Sequence, residues 1–265
     1  MYIDETHPEY VGALARGLSV IASFSAHTPE MTLSGIAQKT NIPAASVRRS
    51  LLTLQALGYV GCVGRHYHLR AKILELGIAG LEAMGVKQVV RPVLTTLANT
   101  TGDAVAMAVL SEGQVMYVAH VPSAHRVQFS ATIGSRLPVL STSLGRVLLG
   151  GLLPTERDAV IAAAPVEPYT SRTITDRALL REDIEASAQR GYSIVEEQLE
   201  YGVTAVAVPI KNEDGRVVAA INCTAIRNEE AEAVLVGRLP SLRSASAEIS
   251  AALTRFPALA HAILP

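Results

Sequence analysis

The sequence contains no tryptophan, three phenylalanines and two cysteines in 265 residues, and its formal net charge is only -1. Cys62 and Cys223 lie far apart and outside any CxxC or Cys/His cluster. Neither a disulfide framework nor a zinc site is therefore expected, and both read as small buried or half-buried apolar residues. No stretch approaches the roughly 20 apolar residues that cross a bilayer, and the opening MYIDETHPEY is acidic and polar rather than signal-like. These absences lead us to expect a cytoplasmic chain with no membrane partner. Catalytic signatures are missing too. There is no GxSxG elbow, since the serine turn reads STSLG, and no HExxH, glycine-rich phosphate loop or paired-carboxylate pattern. His120 and His125 flank Pro122 as loop residues, and Glu196, Glu197 and Glu200 read as a solvated strand end. No catalytic residue, metal or cofactor is expected from such isolated groups.

What is present is a globular composition, 49% hydrophobic and 18% charged, long enough for one large domain or two smaller ones. The near-zero charge hides an uneven distribution. Residues 11 to 72 carry Arg16, Lys39, Arg48, Arg49, Arg65, Arg70 and Lys72 against the single acid Glu30, so 7 - 1 = +6, and the remainder is about -7. A basic segment joined to an acidic body fits one domain that meets a polyanion and another with a different task.

Three helical patterns precede the first strand pattern. The first runs from about Tyr10 to Ser25 with Leu14, Leu18, Ile21 and Ala22 as its packing face, closed by Thr28-Pro29. Thr32 is a plausible N-cap for a second, TLSGIAQKTN, which ends at the turn Asn41-Ile42-Pro43. The third, AASVRRSLLTLQALG, starts near Pro43, carries the stripe Val47, Leu51, Leu54 and Leu57, and stops at Gly58. Tyr59 to Cys62 and His66 to Leu69 then form a small hairpin around Val63-Gly64-Arg65. Helix, turn, helix and basic-tipped hairpin make a winged helix-turn-helix, residues 1–70, whose partner is double-stranded operator DNA. Its third helix is the reader: Ala44, Ala45 and Ser46 let the backbone approach the groove, and Arg48 and Arg49 reach phosphates or guanine edges. Arg65 and His66 lie on the wing, and Arg16 and Thr32 complete the candidate DNA contacts.

Residues 71–84, with KILELGIAGLEAM, read as a linker helix, and 85–265 as a second domain. A helix follows over Val86 to about Thr100, kinked by Pro92 or starting slightly later. Strands are expected at AVAMAVL, QVMYVAHV and about Val127 to Ile133. Helices follow near Ser143 to Leu152, Pro154 to Ala164 and Asp176 to Arg190, then strands YSIVEE, VTAVAVPI and RVVAAINCTAI and a closing helix from about Glu229 to Leu253. That order describes an α+β domain on an antiparallel sheet rather than a doubly wound parallel one.

The segments LARGLSVIASFS, TLSGIAQKTNIPAASVRRSLLTLQALGYV and KILELG resemble the IclR family of bacterial transcription regulators. In the second domain the resemblance extends to IGSRLPVLSTSLGRVLL, to YTSRTITDRALLREDIEASAQRGYSIVEEQLEYGVTAVAVPI and to RVVAAINCTAI. The wing and VRRSLLTLQALGYV look closest to the PcaR, PcaU and PobR branch, which responds to intermediates of aromatic-acid breakdown. The resemblance implies a DNA-binding dimer, or dimer of dimers, with a GAF-like C-terminal domain that takes a small organic effector beside its central sheet. Family pocket positions fall on Ser143, Leu144, Glu196, Ala205, Asn222 and Thr224, with Phe129 and Leu137 as walls. The residues depart from the simplest glyoxylate-binding pattern, where a cysteine and two serines stand in place of Ala205, Asn222 and Thr224, and an aspartate in place of Glu196.

The residues themselves support part of this. The turn Thr142-Ser143-Leu144-Gly145 opens a helix, whose free N–H groups and positive end favour a carboxylate. Arg126, Arg136 or Arg146 could add charge. Asn222 and Thr224, two apart on a strand, share a face while Cys223 takes the other. The expected protein is thus a regulator, not an enzyme, controlled by a small organic acid, hydroxylated aromatic acids among the candidates. The alternative is a small-molecule-binding or hydrolytic domain with an incidental basic N-terminal domain.

Overall fold

Local capping chemistry sets the boundaries of the helices that follow one another near the N-terminus. In the computed structural model, which describes residues 5–25, 27–83, 86–123, 132–226 and 236–255, the chain divides into two units, Met1–Gly80 and Leu81–Pro265. The first unit holds α1 (Gly12–Ala22), β1 (Glu30–Thr32), α2 (Leu33–Thr40), α3 (Ala44–Ala56), β2 (Val60–Val63) and β3 (His66–Leu69). Thr32 caps α2 by accepting from the Gly35 N–H at 3.2 Å, which satisfies one of the four orphan donors of a helix start. Asn41, at φ 55°, turns the chain out of α2 in the left-handed region. Pro43 then stands at the N-cap of α3, its carbonyl accepting from Ser46 and Val47. Val20, Ile36, Val47, Leu51 and Val60 close the core beneath these elements.

Two expectations fail here. β1 was not foreseen; three residues give no alternation, and it exists because Met31 pairs with Tyr67 to extend the hairpin to the order β1-β3-β2. The packing face of α1 is also different. Val20 is the buried residue, whereas Leu14 and Leu18 are 63% and 55% exposed. They join Leu57, itself exposed rather than part of the α3 core stripe, along an apolar groove between α1 and α3. Helical periodicity identifies an apolar stripe but not what covers it.

The helix α4 (Ile73–Ala83) precedes the elements of the second unit. Val86–Val90 form a π-helical turn, and α5 (Arg91–Thr101) begins with Pro92 in its first turn, where the missing N–H costs no intrahelical bond. There follow β4 (Ala104–Ser111), β5 (Gln114–Val121), β6 (Arg136–Leu137), α6 (Ser143–Gly150), α7 (Pro154–Ala163), α8 (Arg177–Arg190), β7 (Ser193–Glu196), β8 (Val203–Lys211), β9 (Val217–Ile226) and α9 (Leu239–Arg255). The strand expected over Val127–Ile133 lies almost wholly outside the described residues, as does the start of the closing helix; the strand beside β5 is β6.

The six strands form one antiparallel sheet, β6-β5-β4-β9-β8-β7. One face packs Val105, Met107, Val206, Ile221 and Cys223 against α5 and α9. The other packs Ala106, Tyr117, Ala207 and Ala220 against Leu144, Leu148, Leu180 and Ile184 from α6 and α8. Small residues on this second face let α6 lie close to the strands. Gly145 shows how close: a Cβ there would drive into the Val139 carbonyl.

Candidate nucleic-acid interface and effector cavity

The burial of Val47, Leu51 and Leu54 fixes the roll of α3. Ala44, Ala45, Arg48 and Arg49 are therefore exposed and Ser46 half-buried. Arg49 reaches back along α3 to the Ser46 hydroxyl at 3.5 Å and, with Ser46 and the half-buried Arg16, lines the α1–α3 groove. Arg48 makes no hydrogen bond or ion pair among the described residues, and neither does Arg65 at the tip of the β2–β3 hairpin beside the exposed His66. Not every cation in the basic count is so placed. Lys72 donates to the Leu57 carbonyl at the end of α3 and lies over the Tyr59 ring, and Lys39 donates to Thr28. Thr32 serves as the α2 cap.

In the second unit a cavity of about 40 Å³ lies between α6 and the sheet. Ser143, Leu144, Leu137, Ala205, Asn222 and Thr224 all line it. Tyr117, Val195 and Gln198 line it too, and the sequence reading missed them. Tyr117 had one legible signal, a polar-tipped aromatic within the apolar run Val115–Ala119, which must find a hydrogen-bond partner when buried.

Three assignments are corrected. Val195, not Glu196, faces the cavity. Val195 pairs with Ala205 and Ala205 with Thr224, so these three share one side of the sheet, and Glu196 turns the other way to meet Arg172 at 3.0 Å. Gly145 does not line the cavity either; its N–H is held by the N-cap hydroxyl of Thr142 at 3.2 Å. Finally, the offered cations are engaged elsewhere. Arg136 pairs with Glu112, and Arg146, only 1% exposed, donates to the Leu140 carbonyl, Asp183 and Gln198. Burial lowers the Arg146 pKa and Asp183 opposes the shift. Phe129 and Arg126 lie outside the described residues.

Among the described residues, no charged side chain lines the cavity. What it offers an anion is the start of α6. Thr142 caps it by accepting from Gly145, while the N–H groups of Ser143 and Leu144 have no acceptor among the described residues. The Ser143 hydroxyl, on a residue 1% exposed, has no hydrogen-bond partner among the described residues. An unmatched buried hydroxyl is uncommon and costs free energy. Across from it, Asn222 accepts from the Ala106 N–H at 3.1 Å and donates to Thr224 at 3.0 Å. Burial pushes the Tyr117 hydroxyl up to about 12, with the Asn222 side chain opposing, so it stays protonated. Among the described residues no group of three or more His, Cys, Asp or Glu could hold a metal. Cys223 is buried as expected, but Cys62 is exposed, because it stands in the outer part of β2 beyond the buried Val60 and Gly61.

Comparison with known proteins adds two family matches: the IclR helix-turn-helix domain over residues 13–61 and the bacterial transcriptional regulator IclR C-terminal domain over residues 78–251. The chain is 34% identical over 244 residues to the Pca regulon regulatory protein of Pseudomonas putida, covering 91% of this chain and 84% of that one. Among solved structures, it resembles a transcriptional regulator from Rhodococcus sp. RHA1 at 35% identity, TM-score 0.79, covering 95% and 99% of the two chains. It also resembles an IclR homolog from Microbacterium hydrocarbonoxydans complexed with 4-hydroxybenzoate, at 25% identity, TM-score 0.78, covering 92% and 99%.

Proposed function

The chain belongs to the IclR family of bacterial transcriptional regulators, and from that premise we propose that its operator affinity is set by a small organic acid bound between α6 and the sheet. The observation that carries this reading is the Ser143 hydroxyl, buried without a partner at a helix start that exposes two further N–H donors. A carboxylate supplies the missing acceptors, and the helix dipole favours its charge although no cation is among the described residues that line the cavity. The likeness to a Pca regulon regulator and to a 4-hydroxybenzoate complex makes aromatic acids the first compounds to test.

In the same reading, residues 1–70 bind DNA, 71–84 link, and 85–265 receive the effector. α3 enters the major groove with Ala44, Ala45 and Ser46 against the backbone and Arg48 and Arg49 on phosphates or bases, while Arg65 and His66 flank the helix on the wing. A dimer or dimer of dimers presents two such helices to a pseudo-palindromic operator. The cavity at about 40 Å³ holds little more than a water molecule, so an organic acid binds an opened arrangement. Effector control then follows as a population shift, because ligand stabilises the arrangement that admits it, with the helices of 71–101 as the lever.

Two variants test the proposal together. Arg48→Ala with Arg49→Ala should weaken operator binding at least tenfold, at roughly 1–3 kcal/mol per base contact, while effector-induced thermal stabilisation persists. Ser143→Ala should do the reverse. Undiminished operator binding in the double arginine variant overturns the recognition-helix assignment, and undiminished acid binding in Ser143→Ala overturns the cavity.

A further inference from the structure

A groove of about 530 Å³ opens where α6, α8, β7 and the turn before α8 meet, and among the described residues it shares only Gln198 with the cavity between α6 and the sheet. Three arginines reach it from three elements: Arg146 from α6, Arg172 from the turn and Arg190 from the end of α8. Two carboxylates, Asp183 and Glu196, face them there, and Asp183 is divided between Arg146 at 2.7 Å and Arg190 at 3.7 Å. Just beyond, Glu197 takes Arg172 Nε at 3.1 Å, and Arg243 lies over the Tyr192 ring at 5.9 Å. With both included the balance is 4 - 3 = +1, so among these described residues one positive charge is in excess. The crowding already tells on Arg146: burial lowers its pKa, Asp183 opposes the shift, and Arg190 adds a smaller push in the direction of burial.

The two exposed arginines are also only partly used. Arg172 spends Nε on Glu197 and Nη1 on Glu196, at 3.1 and 3.0 Å. Arg190 spends Nε on the Tyr192 carbonyl at 2.8 Å and Nη2 on the Ser187 hydroxyl at 2.9 Å. Each keeps one terminal nitrogen, Nη2 of Arg172 and Nη1 of Arg190, with no acceptor among the described residues. One nitrogen from each of two guanidinium groups on separate elements is not the parallel pair of N–H groups by which a single arginine grips a planar carboxylate. Donors placed in this way suit a tetrahedral oxyanion, whose oxygens point in several directions, and a phosphate ester carries about -1.5 to -2 charge at pH 7. Beside the arginines, Ile174, Ile194 and Tyr192 supply an apolar wall.

We infer that this groove is a second ligand site, separate from the cavity between α6 and the sheet, and that it takes a phosphate ester with a small apolar body. Arg172 and Arg190 give the phosphate its charge-assisted hydrogen bonds, and the body rests on Ile174 and Ile194. Glu196 competes with the ligand for Arg172. At about 530 Å³ the groove has the size of an ordinary small-molecule site and needs no enlargement to be filled.

The test is calorimetric titration of the full chain with phenyl phosphate and with inorganic phosphate, at an ionic strength held constant by chloride. Both should bind saturably, phenyl phosphate about fivefold or more tightly through the apolar wall. Arg172→Gln and Arg190→Gln should each weaken phenyl phosphate about tenfold, the loss of one charge-assisted contact. Glu196→Gln, which frees Arg172 from one of its two carboxylates, should instead tighten it about threefold, a gain that general loss of structure does not produce. Ser143→Ala, and Arg48→Ala with Arg49→Ala, should leave phenyl phosphate affinity within about twofold, because neither the α6 cavity nor α3 belongs to the groove. Benzoate, wherever it binds, should be indifferent to both groove arginines. Binding that does not saturate, that survives both arginine variants or that is lost in Ser143→Ala overturns the inference, as does benzoate binding that falls with phenyl phosphate binding in the arginine variants. Failure of every organic acid to bind the α6 cavity would sink the effector reading and leave this site standing.

Discussion

Cys223 and Cys62 occupy opposite environments on two strands. Burial pushes the Cys223 thiol up to about 12, with Asp103 adding to the shift, while Cys62 is exposed near the wing. A thiol reagent at pH 8 should therefore titrate one cysteine rapidly and the second only after unfolding, since the thiolate is the reactive form; two fast thiols would contradict the burial of Cys223. Tyr117 shares the same linkage. Both groups hold their protons more tightly when folded, so the stability they contribute is complete below their ordinary values of 9.0 and 10.0 and is lost as pH rises toward about 12. Urea midpoints should fall across that window, and Tyr117→Phe should flatten part of the fall. At this scale the sequence was only partly legible. Alternation placed Asn222 and Thr224 together, but choosing between Val195 and Glu196 needed the register against Ala205, which no residue in β7 itself encodes.

Caps were the most legible feature among the elements, because a side-chain oxygen at a helix start has a fixed local partner. Thr32 caps α2 as its sequence position suggests, and Asp176, expected as the first residue of α8, stands instead at its N-cap. Thr32→Ala should cost about 1 kcal/mol in a denaturation experiment. The α1 stripe was legible as apolar but not as exposed, since its cover depends on distant residues. Less legible still was the segment after β7. Its Gln198 and Leu199 wall the cavity, and it is fastened to the turn before α8 by hydroxyls: Thr170 donates to the Glu197 carbonyl at 2.5 Å, Thr173 to the Gln198 carbonyl at 2.6 Å, and Tyr201 accepts from the Ser171 N–H at 2.9 Å. On the proposal that the cavity enlarges to admit an acid, Thr170→Val should speed effector association in stopped-flow measurements while costing about 1 kcal/mol of stability. An unchanged rate would place the opening elsewhere.

Across the whole molecule, the basic excess is local: it is +6 over residues 11 to 72, and the acids Asp4, Glu5, Glu9 and Glu75 reduce it to 6 - 4 = +2 over the first unit, Met1–Gly80. In the second unit Arg136, Arg146, Arg157, Arg172, Arg181 and Arg238 each meet a carboxylate. Arg146, 1% exposed, depends on Asp183 at 2.7 Å, and Asp183→Ala should cost about 3 kcal/mol by leaving a buried charge uncompensated. Association of the basic unit with DNA releases counterions, so affinity should fall steeply with salt, whereas acid binding in an uncharged cavity depends on it far less.

The central claim is that one chain joins operator recognition to acid binding. The most direct test is fluorescence anisotropy of the full chain with its own upstream duplex and a scrambled duplex, at two salt concentrations, with and without an acid that calorimetry shows to bind. The account requires tighter binding to the upstream duplex, a salt-dependent affinity, and a shift in that affinity when the acid is added. Equal binding to both duplexes, or an operator affinity that the bound acid leaves unchanged, would contradict it.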